Sequence, residues 1–173
     1  MENLDRETME LLGYFFLTIG MVPRIWADNQ AETIRVDPQD FRGPFAIWWQ
    51  HSEPATDVRN FCDNRWGRTD PTGWYLRDDV EETSWSDDNN HRVEIVEDES
   101  RDIVDFTVSI DIRTPYSDFV DQIVVLAAAV DCVFFDYEKQ TVVEPSREWI
   151  IDALQQHEMT HVVFDSTGKL APN

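Results

Sequence analysis

The chain has 173 residues and a formal net charge of −21. An anionic surface of that density repels nucleic acid, anionic lipid and phosphorylated substrates, and it attracts basic proteins or metal cations. The 42% hydrophobic and 12% aromatic content excludes a disordered acidic tail, because it supplies enough apolar surface to offset the entropy of ordering the chain. One α+β domain over residues 1–173 is expected, with an aromatic-rich part at 1–90, a more legible part at 91–165 and a tail at 166–173.

The first apolar stretch, Leu11 to Val22, follows Glu2, Asp5, Glu7 and Glu10 with only Arg6 to offset them. That leader has the wrong sign for a signal peptide, and the stretch falls short of the roughly 20 apolar residues that span a bilayer. A core element is expected, with neither export nor a membrane anchor. It reads as either a helix or a strand, since Gly13 and Gly20 weaken a helix and Phe15, Phe16 and Ile19 pull toward a strand. Ile34-Arg35-Val36 and Phe45 to Trp49 read as strands. Arg59 to Tyr75 carries turn chemistry in Trp66-Gly67, Asp70-Pro71 and Thr72-Gly73-Trp74.

From residue 91 onward the pattern sharpens. Arg92 to Val96 reads as a strand that turns at Glu97 to Arg101 and pairs with the next one. In Ile103 to Arg113, Phe106, Val108, Ile110 and Ile112 alternate with Asp105, Thr107, Ser109, Asp111 and Arg113, the period of a strand with one buried and one wet face. Thr114-Pro115 ends it. Ser117 is placed to cap a helix with Asp118 in its first turn and an apolar stripe of Phe119, Val120, Ile123, Val124, Ala127 and Val130. Cys132 to Phe135 and Thr141 to Val143 form a hairpin, Pro145-Ser146 opens a helix through Leu154, and Thr160 to Phe164 reads as a last strand. Strand, helix, strand, strand, helix, strand is the βαββαβ order of ferredoxin-like units, so an antiparallel sheet with helices on one face is expected.

His157-Glu158-Met159-Thr160-His161 matches H-E-x-x-H, the motif of the zincin metallopeptidases, and on one helical face it would make His157 and His161 zinc ligands and Glu158 the base. The motif straddles the expected end of the helix near Gln156, and in a strand the two imidazoles sit too far apart to share an ion. Beyond it only Asp165 offers a third ligand. A helix end at which His157 meets the negative pole of the dipole is the favoured reading, and a zinc hydrolase is the alternative. Nucleophilic catalysis has no support: there is no G-x-S-x-G, no glycine-rich phosphate loop, and no histidine near Cys62 or Cys132 in sequence. The two cysteines are expected as free thiols in a reducing cytosol, with a single disulfide as the minority reading. His51 and Glu53 read equally well as a surface pair.

The acid concentrates between Asp78 and Asp105, diluted only by Arg92 and Arg101. Asp87-Asp88-Asn89-Asn90 lacks the glycine and distal glutamate of an EF-hand, so calcium and other cofactors are not expected. Arg65 to Tyr75 mixes arginine with tryptophan, but the surrounding carboxylates oppose a phosphate backbone. Two readings of the run remain: a solvated hairpin, or a docking surface for a basic protein built from Asp78, Asp79, Glu81, Glu82, Asp87 and Asp88 with exposed Trp74, Tyr75 and Trp85 beside it. In charge and size, and in lacking a catalytic set, the chain resembles the small acidic immunity proteins and inhibitors of bacterial conflict systems. The resemblance covers those properties rather than an aligned motif. It implies a cytoplasmic, non-enzymatic partner of a basic toxin such as a nuclease. A DNA mimic that occupies a DNA-binding groove, and a self-associating structural domain, are further alternatives.

Overall fold

The computed structural model describes residues 15–29, 55–71, 79–137 and 139–157. The elements are β1 (Phe16–Pro23), α1 (Arg24–Asn29), α2 (Ala55–Asp63), β2 (Gly67–Thr69), β3 (Val80–Ser86), β4 (Arg92–Asp98), β5 (Ile103–Asp111), α3 (Ser117–Ala129), β6 (Cys132–Asp136), β7 (Thr141–Val143) and α4 (Arg147–Gln156). The strands form one seven-stranded sheet in the order β2-β3-β4-β5-β1-β6-β7, an α+β architecture with every neighbouring pair antiparallel.

β1 takes the strand option left open for Leu11 to Val22. It pairs with β5 through Leu17↔Ile110 and Ile19↔Val108, and with β6 through Met21↔Phe134 and Val22↔Val133. Because β1 is antiparallel to both, β5 and β6 are parallel to each other, and the α3 crossover joins them as a split βαβ unit. This corrects the ferredoxin-like order, in which the strands of the second half pair among themselves. Here a strand from the first half occupies the space beside β5, and among the described residues β7 is the last strand on that side of the sheet. Ile34 to Val36, Phe45 to Trp49 and Thr160 to Phe164 lie outside the described residues.

The core lies between the sheet and α2, α3 and α4. Ile19, Val93, Ile95, Phe106, Val108, Ile110 and Phe134 are buried with Val58 and Cys62 of α2, Phe119, Val120, Ile123, Leu126 and Ala127 of α3, and Ile150 and Leu154 of α4. Trp149 of α4 meets Phe134 at 5.8 Å between ring centroids, and Phe119 of α3 meets Trp66 at 5.2 Å. The other side of β5 is not wet as the alternation implied: Asp105 and Asp111 are buried too. Between them Thr107 and Ser109 are half-buried, so the wet face is confined to the middle of the strand.

α2 is a helix the sequence reading missed, where turn chemistry was expected from Arg59 onward. Its residues are poor helix formers; what holds it is tertiary, with Val58 and Cys62 one turn apart in the core. α4 starts as expected, with Ser146 Oγ accepting from the Trp149 N–H at 3.1 Å. α3 does not: its N-cap is Tyr116, with no side-chain cap, and Ser117 Oγ instead accepts from Arg147 Nη2 at 2.9 Å.

The β3–β4 and β4–β5 hairpins share one loop design. In Asp87-Asp88-Asn89-Asn90-His91, Asp87 Oδ1 accepts from the N–H groups of Asn89 (3.0 Å) and His91 (2.9 Å). In Asp98-Glu99-Ser100-Arg101-Asp102, Asp98 Oδ1 accepts from Ser100 (2.8 Å) and Asp102 (3.1 Å). The fourth residue of each is left-handed, Asn90 at φ 67° and Arg101 at φ 69°, so the turn curls back with the strand twist. Two aspartates of the acidic run are therefore loop caps. Replacing Asp98 by Asn, which keeps the accepting oxygen, should leave urea-unfolding stability nearly unchanged, whereas Asp98→Ala should lose about 1–2 kcal/mol for two hydrogen bonds.

Candidate functional site

Alternation along β3 and β4 divides the acidic run between the two sides of the sheet. Glu81 and Glu97 stand directly opposite each other across the pair, on the face that carries Trp85 and Val93. Like charges so placed repel, and each has been given an arginine: Glu97 pairs with Arg59 of α2, and Glu81 with Arg101 of the next loop. On the other face Glu94 and Asp105 are buried and Glu82 is half-buried. Asp63 accepts from Arg68 at 2.9 Å and from Trp85 Nε1 at 2.8 Å. Much of the local charge is thus engaged within the fold.

Trp85 does not present a ring to a partner. It is fully buried, its indole N–H satisfied by Asp63, because its position on the helix-covered face opposite Val93 decides its burial. Asp79 is exposed at the start of β3. Asp78, Trp74 and Tyr75 lie outside the described residues.

Part of what remains open borders one cleft. The Asp87–Asn89 turn, Arg65-Trp66 after α2, and Pro115 with the first turns of α3 enclose a cleft of about 320 Å³ lined by Asp87, Asp88, Asp118, Arg65, Trp66 and Phe119, among others. Asp88 and Asp118 are exposed, and neither forms an ion pair with a described cation. Arg65 is turned to Phe61, with its guanidinium carbon 3.5 Å from the ring centroid and Nη1 donating to the Phe61 carbonyl at 3.2 Å. The aromatic floor is buried, Trp66 lying between Phe61 and Phe119. Sequence reading found Asp87 and Asp88 but not Asp118, Trp66 or Phe119, which the crossover brings in from other parts of the chain. Asp118 was seen only as a helix-dipole residue.

The zinc motif does not start on a helix. α4 ends at Gln156, and His157 is its C-cap with φ −59° and ψ 130°. His157 lines a separate pocket of about 180 Å³ with Phe16, Tyr137, Lys139 and Trp149. Glu158 and His161 lie outside the described residues. Among the described residues no three His, Cys, Asp or Glu side chains are grouped to hold a metal, and no helix is long and apolar enough to cross a membrane. Both cysteines are free and buried. Burial pushes the Cys62 thiol up to about 12, and pushes Cys132 upward as well, so neither supplies a thiolate nucleophile near neutral pH.

Comparison of the chain with protein-family models, with curated proteins and with solved structures finds no match.

The Arg59–Glu97 pair is the most exacting of these contacts. The Glu97 side chain is fully buried, one oxygen meets Arg59, and Oε1 has no partner. Burial raises its pKa above the ordinary value, against the opposing pull of Arg59 and Arg101. The fold therefore favours the neutral acid, and this contribution is complete below pH 4.5 and is lost as pH rises through the raised value. Asp63 behaves oppositely. Hydrogen bonds from Arg68 and Trp85 hold it down to about 2, so its contribution is present above the ordinary 3.8 and is lost as pH falls toward 2. Glu97→Gln should raise stability at neutral pH, and Asp63→Asn should flatten the acid limb of the stability curve. Arg59→Met should destabilise by about 3 kcal/mol, the low end for a broken buried pair because Arg59 is partly exposed, and adding Glu97→Gln should recover most of that loss. Urea unfolding across pH measures all three.

Proposed function

We propose that this protein is a non-enzymatic binding protein that neutralises a basic protein partner, as the small acidic immunity proteins and inhibitors neutralise bacterial toxins such as nucleases. One observation carries the reading. Several carboxylates of the acidic run are engaged in loop caps and internal arginine pairs, and Asp88 and Asp118 are exposed at one cleft over a Trp66–Phe119 floor. Carboxylates on the rim speed encounter with a cationic surface, and a packed aromatic floor gives an inserted side chain a surface to pack on. The location that goes with this reading is the cytosol, in keeping with two free, buried thiols.

The docking residues differ from those first expected. Glu81 serves Arg101, Trp85 is core, and Asp87 caps its own loop, so among the carboxylates that line the cleft Asp88 and Asp118 are the exposed ones placed to act on a partner. The test is a chain carrying Asp88→Lys and Asp118→Lys, titrated with an arginine-rich peptide by calorimetry at low and high salt. Its affinity should fall roughly tenfold, about 1.4 kcal/mol, with a shallower salt dependence. The control carries Glu148→Lys and Asp152→Lys on the exposed side of α4, with the same change of net charge, and should lose much less. Equal losses in the two chains would show a diffuse field rather than a site. Arg65→Gln, which removes a cation from the cleft lining, should tighten the same peptide severalfold.

A further inference from the structure

Beneath the cleft lies a titratable side chain that the docking surface itself does not use. His91 is fully buried. Its Nδ1 lies 3.0 Å from the Asp111 backbone N–H, and its Nε2 lies 2.8 Å from the Pro115 carbonyl oxygen. A backbone N–H only donates and a carbonyl only accepts, so Nδ1 is the acceptor and Nε2 carries the proton. The two hydrogen bonds together demand the neutral ring.

Three residues of the cleft lining rest on this ring. Pro115 accepts from it, Phe119 packs against it at 4.9 Å between centroids, and Asp87 Oδ2 lies 4.0 Å from Nε2. Asp87 also holds the loop, accepting from the His91 backbone N–H. The charged groups that face the ring are Asp87 from its own loop and Asp111 with its partner Arg113 at the end of β5; Asp118 of α3 shares the cleft above. The Asp111 carboxylate is itself engaged: burial works to raise its pKa, but hydrogen bonds from the Arg113 side chain and backbone outweigh that and hold it below the ordinary value. It therefore stays ionised while a histidine titrates.

We propose that His91 is a proton-operated regulator of the docking cleft: a second proton, on Nδ1, points an N–H at the Asp111 N–H, breaks that contact, and sets a positive charge under Asp87. Two donors cannot share one hydrogen bond, so the end of β5 and the loop before α3 must shift away from the ring. The added charge also cancels part of the field that draws a cation into the cleft. Capture of a basic partner weakens when the ring takes that second proton. The consequence for binding rests on the docking reading above; the chemistry of the ring does not.

The test is nuclear magnetic resonance on the full, isotope-labelled chain. Two-bond proton–nitrogen correlations of the imidazole should show His91 as the Nε2–H tautomer at pH 8, and the Asp111 amide resonance should move with the His91 titration, followed at the same midpoint by the amides of Asn89, Trp66 and Phe119. The opposite tautomer, a ring still neutral when the chain unfolds in acid, or cleft amides that do not move with it would each overturn the proposal. The same samples titrated with a hexa-arginine peptide separate the two readings. Binding at pH 8 that weakens severalfold at pH 5 supports regulation, equal binding at both overturns regulation alone, and no binding at either pH overturns the docking reading alone. In a His91→Gln chain that folds, the peptide affinity should lose its pH dependence. A dependence that survives there would overturn the proposal, and where that chain does not fold the wild-type spectra decide.

Discussion

Phe16–Pro23 runs antiparallel to both Ile103–Asp111 and Cys132–Asp136, and that placement dictates the form of everything downstream. Two strands on either side of a shared antiparallel neighbour are parallel to each other, and parallel strands cannot be joined by a tight turn. The chain must cross over, and Ser117–Ala129 is the crossover. Its entry point, after Thr114-Pro115, falls beside the loop between the third and fourth strands, as the hydrogen bond from Thr114 Oγ1 to the Asn89 carbonyl at 2.8 Å shows. The cleft between that loop and the helix start is a geometric consequence of inserting one strand. Gly20 belongs to the same constraint: a Cβ there would come within 2.9 Å of the Tyr137 hydroxyl and 3.2 Å of Phe135 Cβ, so the inserted strand is closely overlaid on that side.

Local features of the second half were legible because they obey local rules. The alternation of Phe106, Val108 and Ile110, the stripe of Phe119, Val120 and Ile123, and the cap at Ser146 each need only a few neighbouring residues to be read. The sheet order was not legible, because the pairing of Ile19 with Val108 joins residues far apart in sequence and nothing in either segment names its partner. Ala55–Asp63 was missed for a related reason. Thr56, Asp57, Asn60 and Asp63 suit turns as well as helices, and what selects the helix is the burial of Val58 and Cys62 and the pairing of Arg59 with a glutamate on another element.

The site was half legible. An acidic run can be counted, but its count does not show which carboxylates are occupied. Strand alternation sends Glu81 and Glu82 to opposite faces, and the shared loop design turns Asp87 and Asp98 inward to cap their own turns. Trp85 shows the same limit for aromatics: its neighbours in sequence are polar, yet its register opposite Val93 on the helix-covered face removes it from the surface.

Net charge and useful charge are therefore different quantities in this protein. A carboxylate paired with an arginine presents a dipole to a distant partner, and its field falls away faster than that of a lone charge. Internal pairs such as Arg59–Glu97, Arg101–Glu81 and Arg113–Asp111 tie together a helix, a loop and strand ends of the scaffold. The exposed Asp88 and Asp118 can then act from fixed positions, with little side-chain freedom lost from the scaffold when a cation arrives. His91 occupies the junction between the two populations: its ring is held by backbone groups of the scaffold, while one edge faces Asp87 of the rim.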